Sequence, residues 1–479
     1  MALCRGNPMT DEKKIVVWFR QDLRLTDNPA LAAAAREGAV LPIFILDDNT
    51  AGDWKHGGAA RVWLHHSLTA LNASLDGHLS VYCGDANDVI TDILERLDIS
   101  AVYWNRCYEP WRIARDKTIK QNLTDRAVTV RSFNGSLLWE PWEIAKPDGT
   151  PYRVFTPFYR KGCLNAPAPR KPSPKPRKMT TIADAAAPGI ESLGLLPKAP
   201  RWDTPITEAW RIGEKAAQKT LDAFLKTGLE GYKKGRDFPA RANVSRLSPH
   251  LRWGEISPHT VWARARSAGD NDDVDHFCSE LGWREFSCAL LYHFPDLPTQ
   301  NFQPKFDGFP WADNNEALAA WRRGATGVPI VDAGMRELWR TGYMHNRVRM
   351  IVASFLIKGL RIDWREGERW FWDTLVDADL ANNSASWQWV AGSGADAAPY
   401  FRIFNPVTQA EKFDPDGAYI KRYVPELSGL DGKPLYAPWT APEDLLAAAH
   451  IKLGEDYPHP IADLKQSREE ALAAFKALS

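Results

Sequence analysis

The order of apolar and polar positions divides the chain into two parts. Between residues 14 and 140, short apolar runs alternate with segments of helical periodicity. The strand candidates are KIVVWF, AVLPIFIL, HLSVYC, AVYWNR and AVTVRSF, and helical patterns such as NPALAAAAREG and ANDVITDILERL separate them. This alternation predicts βαβ units and a Rossmann-like α/β domain with a five-stranded parallel sheet. No GxGxxG follows the first strand, so we do not expect a nucleotide bound in the standard dinucleotide manner.

A change of composition follows this domain. Residues 141–206 contain the run APAPRKPSPKPRK, and from Gly162 onwards no acidic residue occurs until Asp184. Proline at this density prevents regular backbone hydrogen bonding and favours an extended path. We therefore predict that residues 141–206 are a proline-rich, basic interdomain linker. An arm that touches nucleic acid is the alternative.

Helical patterns replace the strand patterns from about Thr207, as in EKAAQKTLDAFLKTG, NEALAAWRRG and MRELWRTG. We predict an all-α domain over residues 207–479. Within it, Ser248-Pro249 and Ser257-Pro258 each have the pattern of an N-cap serine followed by proline at the first helical position. A helix N-terminus presents unpaired N–H groups, which suit a diphosphate.

Composition and charge exclude several classes of protein. Lys+Arg and Asp+Glu are both 60, which argues against indiscriminate nucleic-acid binding. The six cysteines are scattered without a metal-ligand spacing, so the sequence predicts no disulfide framework, metal site or iron-sulfur cluster. No apolar run is long enough to span a bilayer, and MALCRGNPMTDEKK lacks the apolar core of a signal peptide. We expect a cytoplasmic protein.

A DNA partner would need a local basic face, and one candidate is present. Its cations outnumber their acidic neighbours and are Arg340, Arg347, Arg349, Lys358, Arg361, Arg365 and Arg369. The alternative is a solvated helical surface on which these cations are paired with acids.

The stretch Trp364–Asn405 has the most unusual chemistry in the chain. Closely spaced indoles accompany carboxylates, tandem amides and a loop of small residues. A buried Trp N–H needs a partner, and buried amides and carboxylates are costly unless they are hydrogen-bonded. A planar, hydrogen-bonding cofactor would satisfy both groups. A Trp-rich helical core is the alternative.

This stretch also carries a resemblance to a known family. Together with VVWFRQDLRLTDNPAL, SRLSPHLRWGEIS and TGYMHNRVRMIVASFLIKGLRIDWREGERWF, it makes the chain resemble the DNA photolyase/cryptochrome family over nearly its whole length. Within that family the chain is similar to bacterial cyclobutane pyrimidine dimer photolyases, and to class III more than to class I. The resemblance implies an FAD-binding helical domain and a monomer that acts on UV-damaged DNA.

The resemblance implies these flavin contacts. The FAD phosphates would be held by Tyr232, Val244, Ser245, Arg246, Leu247 and Ser248. Val244 stands where related enzymes often have threonine, so one hydroxyl contact would be absent. Beside the flavin, Arg349 would pair with Asp377, near Asp379. Asn383 would face flavin N5, and a neutral amide there suits repair because it accepts a hydrogen bond without offering an acidic proton.

Other residues are implied to contact the DNA. Glu280 would hydrogen-bond the damaged bases beside Arg284, while Trp283 and Trp389 would stack on them. Asn346 and Met350 would face the lesion; histidines replace this pair in enzymes that repair (6-4) photoproducts, so the cyclobutane dimer is favoured. The candidates for contacting the DNA backbone are Arg236, Arg347, Arg402 and Gln409.

The resemblance also implies a light-driven mechanism. FADH⁻ would donate an electron to a flipped-out dimer, and Trp387, Trp364 and Trp311 would carry electrons from the surface to oxidised FAD. The extra indoles that would allow a branch in this pathway are Trp339, Trp370 and Trp372.

An antenna chromophore would bind the first domain, with methenyltetrahydrofolate favoured over a deazaflavin. Glu109 is the expected folate contact, because it lies with Trp104, Asn105 and Tyr108 just after the fourth strand, and a solvent-facing loop glutamate is the alternative. The competing functions are a cryptochrome photoreceptor, (6-4) repair and a flavoprotein that only binds a partner. Only the short helical pattern SREEALAAFKAL follows the family core, which makes signalling less favoured.

Overall fold

The computed structural model describes residues 13–397 and 401–478 and places a parallel sheet before a helical domain. The sheet has the strand order β3-β2-β1-β4-β5. Its strands are β1 Lys14–Phe19, β2 Ala39–Leu46, β3 Ser80–Cys83, β4 Ala101–Asn105 and β5 Thr129–Phe133. The predicted five-stranded parallel sheet is confirmed, and each predicted strand run contains one observed strand.

Helices cover both faces of this sheet. Ile15, Val17 and Phe19 of β1 pack against α1 and α3, and Val16 and Trp18 pack against α4 and α5 on the opposite face. Burial on both faces explains why β1, β2 and β4 are almost continuously apolar, whereas β5, at one edge of the sheet, is partly exposed. The helices of this domain are α1 Pro29–Glu37, α2 Asp48–Ala51, α3 Gly58–Ser74, α4 Ala86–Leu97 and α5 Pro110–Asp125.

The rest of the described chain is mainly helical, as the sequence predicts for residues 207–479, and its first helix lies within the predicted linker. Its helices are α6 Phe155–Pro157, α7 Thr204–Ala209, α8 Glu214–Ala223, α9 Tyr232–Gly235, α10 Ser248–Arg252, α11 Pro258–Ala268, α12 Asp272–His293, α13 Asn315–Arg323, α14 Pro329–Thr341, α15 Asn346–Ser354, α16 Trp364–Thr374, α17 Leu380–Ala391, α18 Pro406–Phe413, α19 Ala418–Tyr423, α20 Gly432–Tyr436, α21 Glu443–Ala448 and α22 Leu464–Lys476. Short π-helical turns extend three of these helices at Phe158–Gly162, Phe224–Gly228 and Phe355–Gly359. Short 3₁₀ turns lie at Gly52–Trp54, Cys163–Asn165, Ile190–Leu193, Pro304–Gly308, Pro425–Leu427 and Pro438–Thr440.

The predicted linker contacts both domains. Phe155 and Phe158 lie in the core of the helical domain. Further along, the Val40 backbone donates a hydrogen bond to the Thr180 carbonyl (2.8 Å) and accepts one from Ile182 N–H (2.9 Å), so the segment prolongs the sheet beside β2. The proline-rich stretch therefore lies against the domains it connects. The domain boundaries at residues 140 and 206 stay predictions.

The two domains meet at the short sequence Trp253-Gly254-Glu255. The Trp253 carbonyl accepts a hydrogen bond from Leu23 N–H (3.1 Å). The side-chain carboxylate of the fully buried Glu255 accepts a hydrogen bond from the Trp63 indole N–H (3.1 Å). Between them Gly254 has a φ of +65°, and a Cβ at this position would lie 2.0 Å from the Gln21 carbonyl oxygen. Glycine is required here both for its backbone conformation and for the close approach of the two domains.

We expect Gly254→Ala to destabilise the protein by about 3 kcal/mol, because left-handed backbone strain and a backbone clash add together. Gly432→Ala is the matched control: Gly432 has a φ of +56° with no atom within 4 Å of the added Cβ. This control should show the backbone strain alone, about 1 kcal/mol. Urea unfolding followed by circular dichroism measures both variants, and equal losses would contradict the close-approach argument.

Candidate active site

Three distant sequence motifs meet at the carboxylate of Asp377. The Asp377 side chain is buried and accepts two hydrogen bonds from Arg349 Nη2, at 2.8 and 3.1 Å. It accepts a third from the Ser248 hydroxyl at 2.6 Å. A buried charge is tolerated only when it is paired and hydrogen-bonded, so this contact fixes α10, α15 and the turn before α17 to one another.

The Ser248 contact corrects one local expectation. Ser248 is the first residue of α10 and not its N-cap, because its hydroxyl donates to Asp377 and caps no backbone N–H. Ser257 does cap α11, since its hydroxyl oxygen accepts a hydrogen bond from Thr260 N–H at 3.0 Å. The prediction of two serine caps is therefore right for Ser257 and wrong for Ser248.

The residues before Ser248 form a compact turn. Arg246 has a φ of +51°, and its guanidinium lies over the rings of Trp210 (4.3 Å) and Tyr343 (5.0 Å). Leu247 is buried, Tyr232 is buried at the start of α9, and Val244 and Ser245 are half-buried. The Ser245 hydroxyl and the turn N–H groups lie beside this fixed arginine, and together they form a donor set suited to a diphosphate.

Helix α17 presents an amide next to this cluster. Asp379 is its N-cap and accepts hydrogen bonds from the backbone and side-chain N–H groups of Asn382, at 2.9 and 2.7 Å. The Asn383 amide nitrogen donates to the Glu368 carbonyl at 3.0 Å, which fixes the orientation of the amide. Its amide oxygen has no hydrogen-bond partner among the residues that the structure describes. Asn383 can therefore accept a hydrogen bond from a bound ligand.

A buried acid that the sequence analysis did not identify lies behind Asn383. The Glu368 side chain is 1% exposed and accepts a hydrogen bond from the Ser384 hydroxyl. Burial raises the pKa of Glu368 to about 8. The signal that could have revealed it is a glutamate on the apolar face of α16, within WREGERWFW.

The expected electron-transfer indoles occupy the same region. Trp387 is buried, and a Cβ on Gly367 would lie only 2.1 Å from its ring. Trp364 is fully buried and donates to the side-chain oxygen of Asn301 at 3.0 Å, whereas Trp311 is half-buried beside Phe309.

The extra indoles divide into two environments. Trp339 and Trp370 are stacked, with centroids 6.1 Å apart and an interplanar angle of 5°. Trp372 donates to the Lys55 carbonyl at 2.9 Å, in the contact between the domains.

The residues expected at the DNA are arranged as ion pairs. Glu280 pairs with Arg236, and Arg347 pairs with Asp237 at 2.9 Å. Arg284 instead donates to the Ser136 carbonyl at 2.8 Å and pairs with Glu285, so its guanidinium contacts the chain that leaves the sheet domain.

The remaining predicted DNA-facing residues lie on several elements. Asn346 begins α15 and Met350 is half-buried one turn later. Trp283 lies on α12 and Trp389 on α17, and both are half-buried. Arg402 is exposed, whereas Gln409 is half-buried on α18.

Comparison with known proteins identifies the family. A model described as the FAD binding domain of DNA photolyase matches residues 277–477, and one described as DNA photolyase matches residues 15–177. A deoxyribodipyrimidine photo-lyase of Agrobacterium fabrum is 50% identical over 97% of this chain and 98% of its own length. The chain belongs to the photolyase/cryptochrome family.

Two further relatives define its place in the family. The crystal structure of a bacterial class III photolyase from Agrobacterium tumefaciens has a TM-score of 0.94 at 48% identity, covering 100% of this chain and 99% of that one. Cryptochrome-2 of Arabidopsis thaliana is 38% identical over 96% of this chain and 78% of its own length. The family resemblance and the expectation of a photolyase-type enzyme are thereby confirmed.

The helical domain of this family member is an FAD-binding domain, and its residues fit the cofactor. The turn at Ser245 and the start of α10 offer N–H and hydroxyl donors, and the Asn383 amide oxygen is free to accept. In addition, Arg252 has a buried Nη1 without a partner among the described residues, which an anionic or carbonyl group could satisfy.

A cavity lies at the carboxyl edge of the sheet. Glu109, the expected antenna contact, is buried behind this edge, where it pairs with Arg112 at 3.3 Å and accepts a hydrogen bond from the Gln21 amide. Gln21 and Arg112 line the cavity themselves. The cavity is also lined by aliphatic residues of β2 and α2, by the acids Asp47 and Asp48, and by aromatic and basic residues that include Trp18, Trp54, His56, Trp111, Arg115 and Trp253.

Most of the candidate basic face on residues 340–369 is ion-paired. Lys358 is buried and donates to the Arg402 carbonyl, while five of the six arginines of this face pair with acids. These pairs are Arg347–Asp237, Arg349–Asp377, Arg361–Glu470, Arg365–Asp363 and Arg369–Glu366. The alternative of an ion-paired surface describes this region.

Glu368 should be protonated at pH 7, because burial raises its pKa to about 8. Infrared spectra of the purified protein should contain a carboxylic C=O stretch that Glu368→Gln removes and that titrates with a midpoint near pH 8. The raised pKa also predicts that the free energy of unfolding falls as pH rises from the pKa of Glu368 in the unfolded chain towards 8. In this range the unfolded chain releases the proton and the folded chain keeps it. Glu366→Gln, on the solvent side of α16, is the control. An unchanged band in Glu368→Gln would show that this carboxyl is ionised.

Proposed function

We propose that the chain repairs UV-damaged DNA by light-driven cleavage of cyclobutane pyrimidine dimers at a bound FAD. The observation that carries this proposal is the Ser248–Asp377–Arg349 contact beside Asn383. It joins the motif expected at the FAD phosphates to the helix that presents Asn346 and Met350. A flavin site and a lesion site are thereby built on the same framework.

When bound and reduced, FAD would supply the electron that splits the dimer. The chain supplies position, charge and exclusion of water. Arg349 and Asp377 hold each other in place, so the flavin would meet no unpaired charge at this point. Asn383, oriented by Glu368, offers its amide oxygen to the flavin as an acceptor, and an amide does not deliver an acidic proton.

The lesion would be recognised by side chains that lie outside this framework. We propose that Trp283 and Trp389 stack on the flipped-out bases and that Glu280 hydrogen-bonds one of them. Flipping is cheaper at a lesion than in intact duplex, which contributes to selectivity. Arg236, Arg347, Arg402 and Gln409 would contact the DNA backbone, and Arg284 would support the site from the domain contact that it makes.

We propose that the cavity at the carboxyl edge of the sheet holds the antenna. Its indoles and arginines suit a planar chromophore with an acidic tail. Glu109 would act by holding Gln21 and Arg112 in place. Methenyltetrahydrofolate is favoured over a deazaflavin, and the absorption spectrum of the purified protein distinguishes the two.

The 38% identity to a plant cryptochrome supports photoreception as a second candidate function. The repair assay described next separates the two functions. We further propose that the protein is a monomer, because the contacts described above complete the site within one chain, and that it is cytoplasmic.

The central test is repair of defined lesions. The flavin-loaded, reduced protein should remove a cyclobutane dimer from an oligonucleotide in light but not in darkness, and should leave a (6-4) product intact. Glu280→Gln should lower repair about tenfold, since a hydrogen bond to a charged group is lost. Glu316→Gln, an exposed change on α13, should not. Chromatography of the products measures all of these, and absence of light-dependent repair would move photoreception to first place.

Photoreduction tests the indole pathway separately. In Trp387→Phe protein, blue light with an external thiol should no longer reduce bound oxidised flavin, because the first indole of the proposed pathway is missing. The same variant should still repair DNA after chemical reduction. Trp372→Phe is the matched control, since that indole lies in the domain contact. Absorption spectroscopy follows the reaction, and wild-type photoreduction in Trp387→Phe would refute the pathway.

A further inference from the structure

Two indoles that the proposed function places against the lesion are connected through the same short segment, residues 153–155. The Trp389 indole N–H donates to the Asp396 carbonyl at 3.1 Å. The Asp396 N–H in turn donates to the Arg153 carbonyl at 3.2 Å. Asp396 therefore connects α17 to a segment more than two hundred residues earlier in the chain.

The same segment supports the other indole. The Phe155 ring is stacked on Trp283, with centroids 3.8 Å apart and an interplanar angle of 12°. Tyr159 continues the stack behind Phe155 at 5.6 Å and 8°. One face of Trp283 is thereby covered by a fixed ring, which restricts the plane of the indole.

Arg153 anchors the segment on its other side. Its guanidinium lies over the rings of Phe294 (5.1 Å) and Phe302 (5.5 Å). Phe302 N–H donates to the buried Gln388 side chain at 2.8 Å, next to Trp389 in sequence. The segment is therefore held to both α12 and α17.

Asp396 has a left-handed backbone conformation at the point where α17 is connected to residues 153–155. Its φ is +53°, a backbone region in which Asp and Asn are tolerated but most side chains are strained. Burial raises the pKa of its carboxyl, and a hydrogen bond from the Phe155 backbone acts in the opposite direction. The Asp396 side chain and N–H thus contact the backbone of Phe155 and Arg153, and its carbonyl contacts the Trp389 indole.

We propose that Asp396 is a positioning residue that, through residues 153–155, fixes Trp389 relative to Trp283 and so sets the spacing of the lesion-binding indoles. This inference rests on the proposed function for the identity of the ligand. The connection between the two indoles is a property of the free protein and can be tested without DNA.

Three substitutions at Asp396 separate the contribution of its backbone conformation from the contribution of its carboxylate. Asp396→Asn keeps the conformation and an acceptor oxygen, Asp396→Gly keeps the conformation alone, and Asp396→Ala loses both. Asp76→Gly is the matched control, because exposed Asp76 also has a φ of +53°.

The readout is fluorine NMR of flavin-loaded protein labelled with 5-fluorotryptophan. Trp283→Phe and Trp389→Phe assign the two resonances among the 21 tryptophans. We expect the Trp283 resonance to move most in Asp396→Ala, less in Asp396→Gly and hardly in Asp396→Asn or Asp76→Gly. Phe155→Leu should also move it, because the stacked ring is removed while the backbone contacts are kept. An unmoved Trp283 resonance in Asp396→Ala and Asp396→Gly would overturn the inference.

DNA binding supplies the functional outcome. Asp396→Ala should bind an oligonucleotide with a cyclobutane dimer about tenfold more weakly, with unchanged affinity for undamaged DNA and unchanged flavin absorption, since about 1.4 kcal/mol of stacking is lost. Equal weakening for both oligonucleotides would overturn the inference. If wild-type protein shows no preference for the dimer, the proposed function is refuted instead. The NMR comparison would still test whether Asp396 fixes Trp389 relative to Trp283.

Discussion

The arrangement of the helical domain depends on one buried carboxylate, Asp377. It holds Ser248 and Arg349, which lie 129 and 28 residues away in sequence. Removing one partner from a buried ion pair costs about 3–5 kcal/mol, so the three elements that carry these groups are fixed to one another. Helix α17 begins three residues after Asp377, and the position of Asn383 therefore follows from the same contact.

The parts of the fold that repeat a local pattern were predictable. All five strands follow from apolar runs, and the signal is almost uninterrupted in β1, β2 and β4, which are buried on both faces. The Ser257 cap also follows from local sequence. The Ser248 cap does not, although its sequence pattern is the same, because a distant carboxylate competes for the hydroxyl. A local pattern shows which hydrogen bonds are available to a side chain, and the tertiary structure determines which one forms.

The features that the sequence could not show are long-range or electrostatic. Asp396 and Arg153 are polar residues without a periodic pattern, and only the fold brings them together. The high pKa of Glu368 depends on burial that α16 acquires when it packs against α17. Counting cations along the sequence overestimates the basic face, because it ignores the acids that other elements bring to them, such as Glu470 on α22 beside Arg361. The resemblance to a family located residues whose chemistry alone left alternatives open.

The ion pairs at the proposed DNA-binding site affect how strongly the protein would bind undamaged DNA relative to a lesion. Arg236 is paired with Glu280, so a phosphate can bind this arginine fully only by displacing a carboxylate. Ordinary DNA offers Glu280 no new partner, and breaking the pair would leave its charge uncompensated. A flipped-out lesion does offer one, because the base can donate a hydrogen bond to Glu280 while the released Arg236 turns to the backbone. In a protein of zero formal charge, such internal competition would suppress binding to undamaged DNA without weakening the response to the lesion.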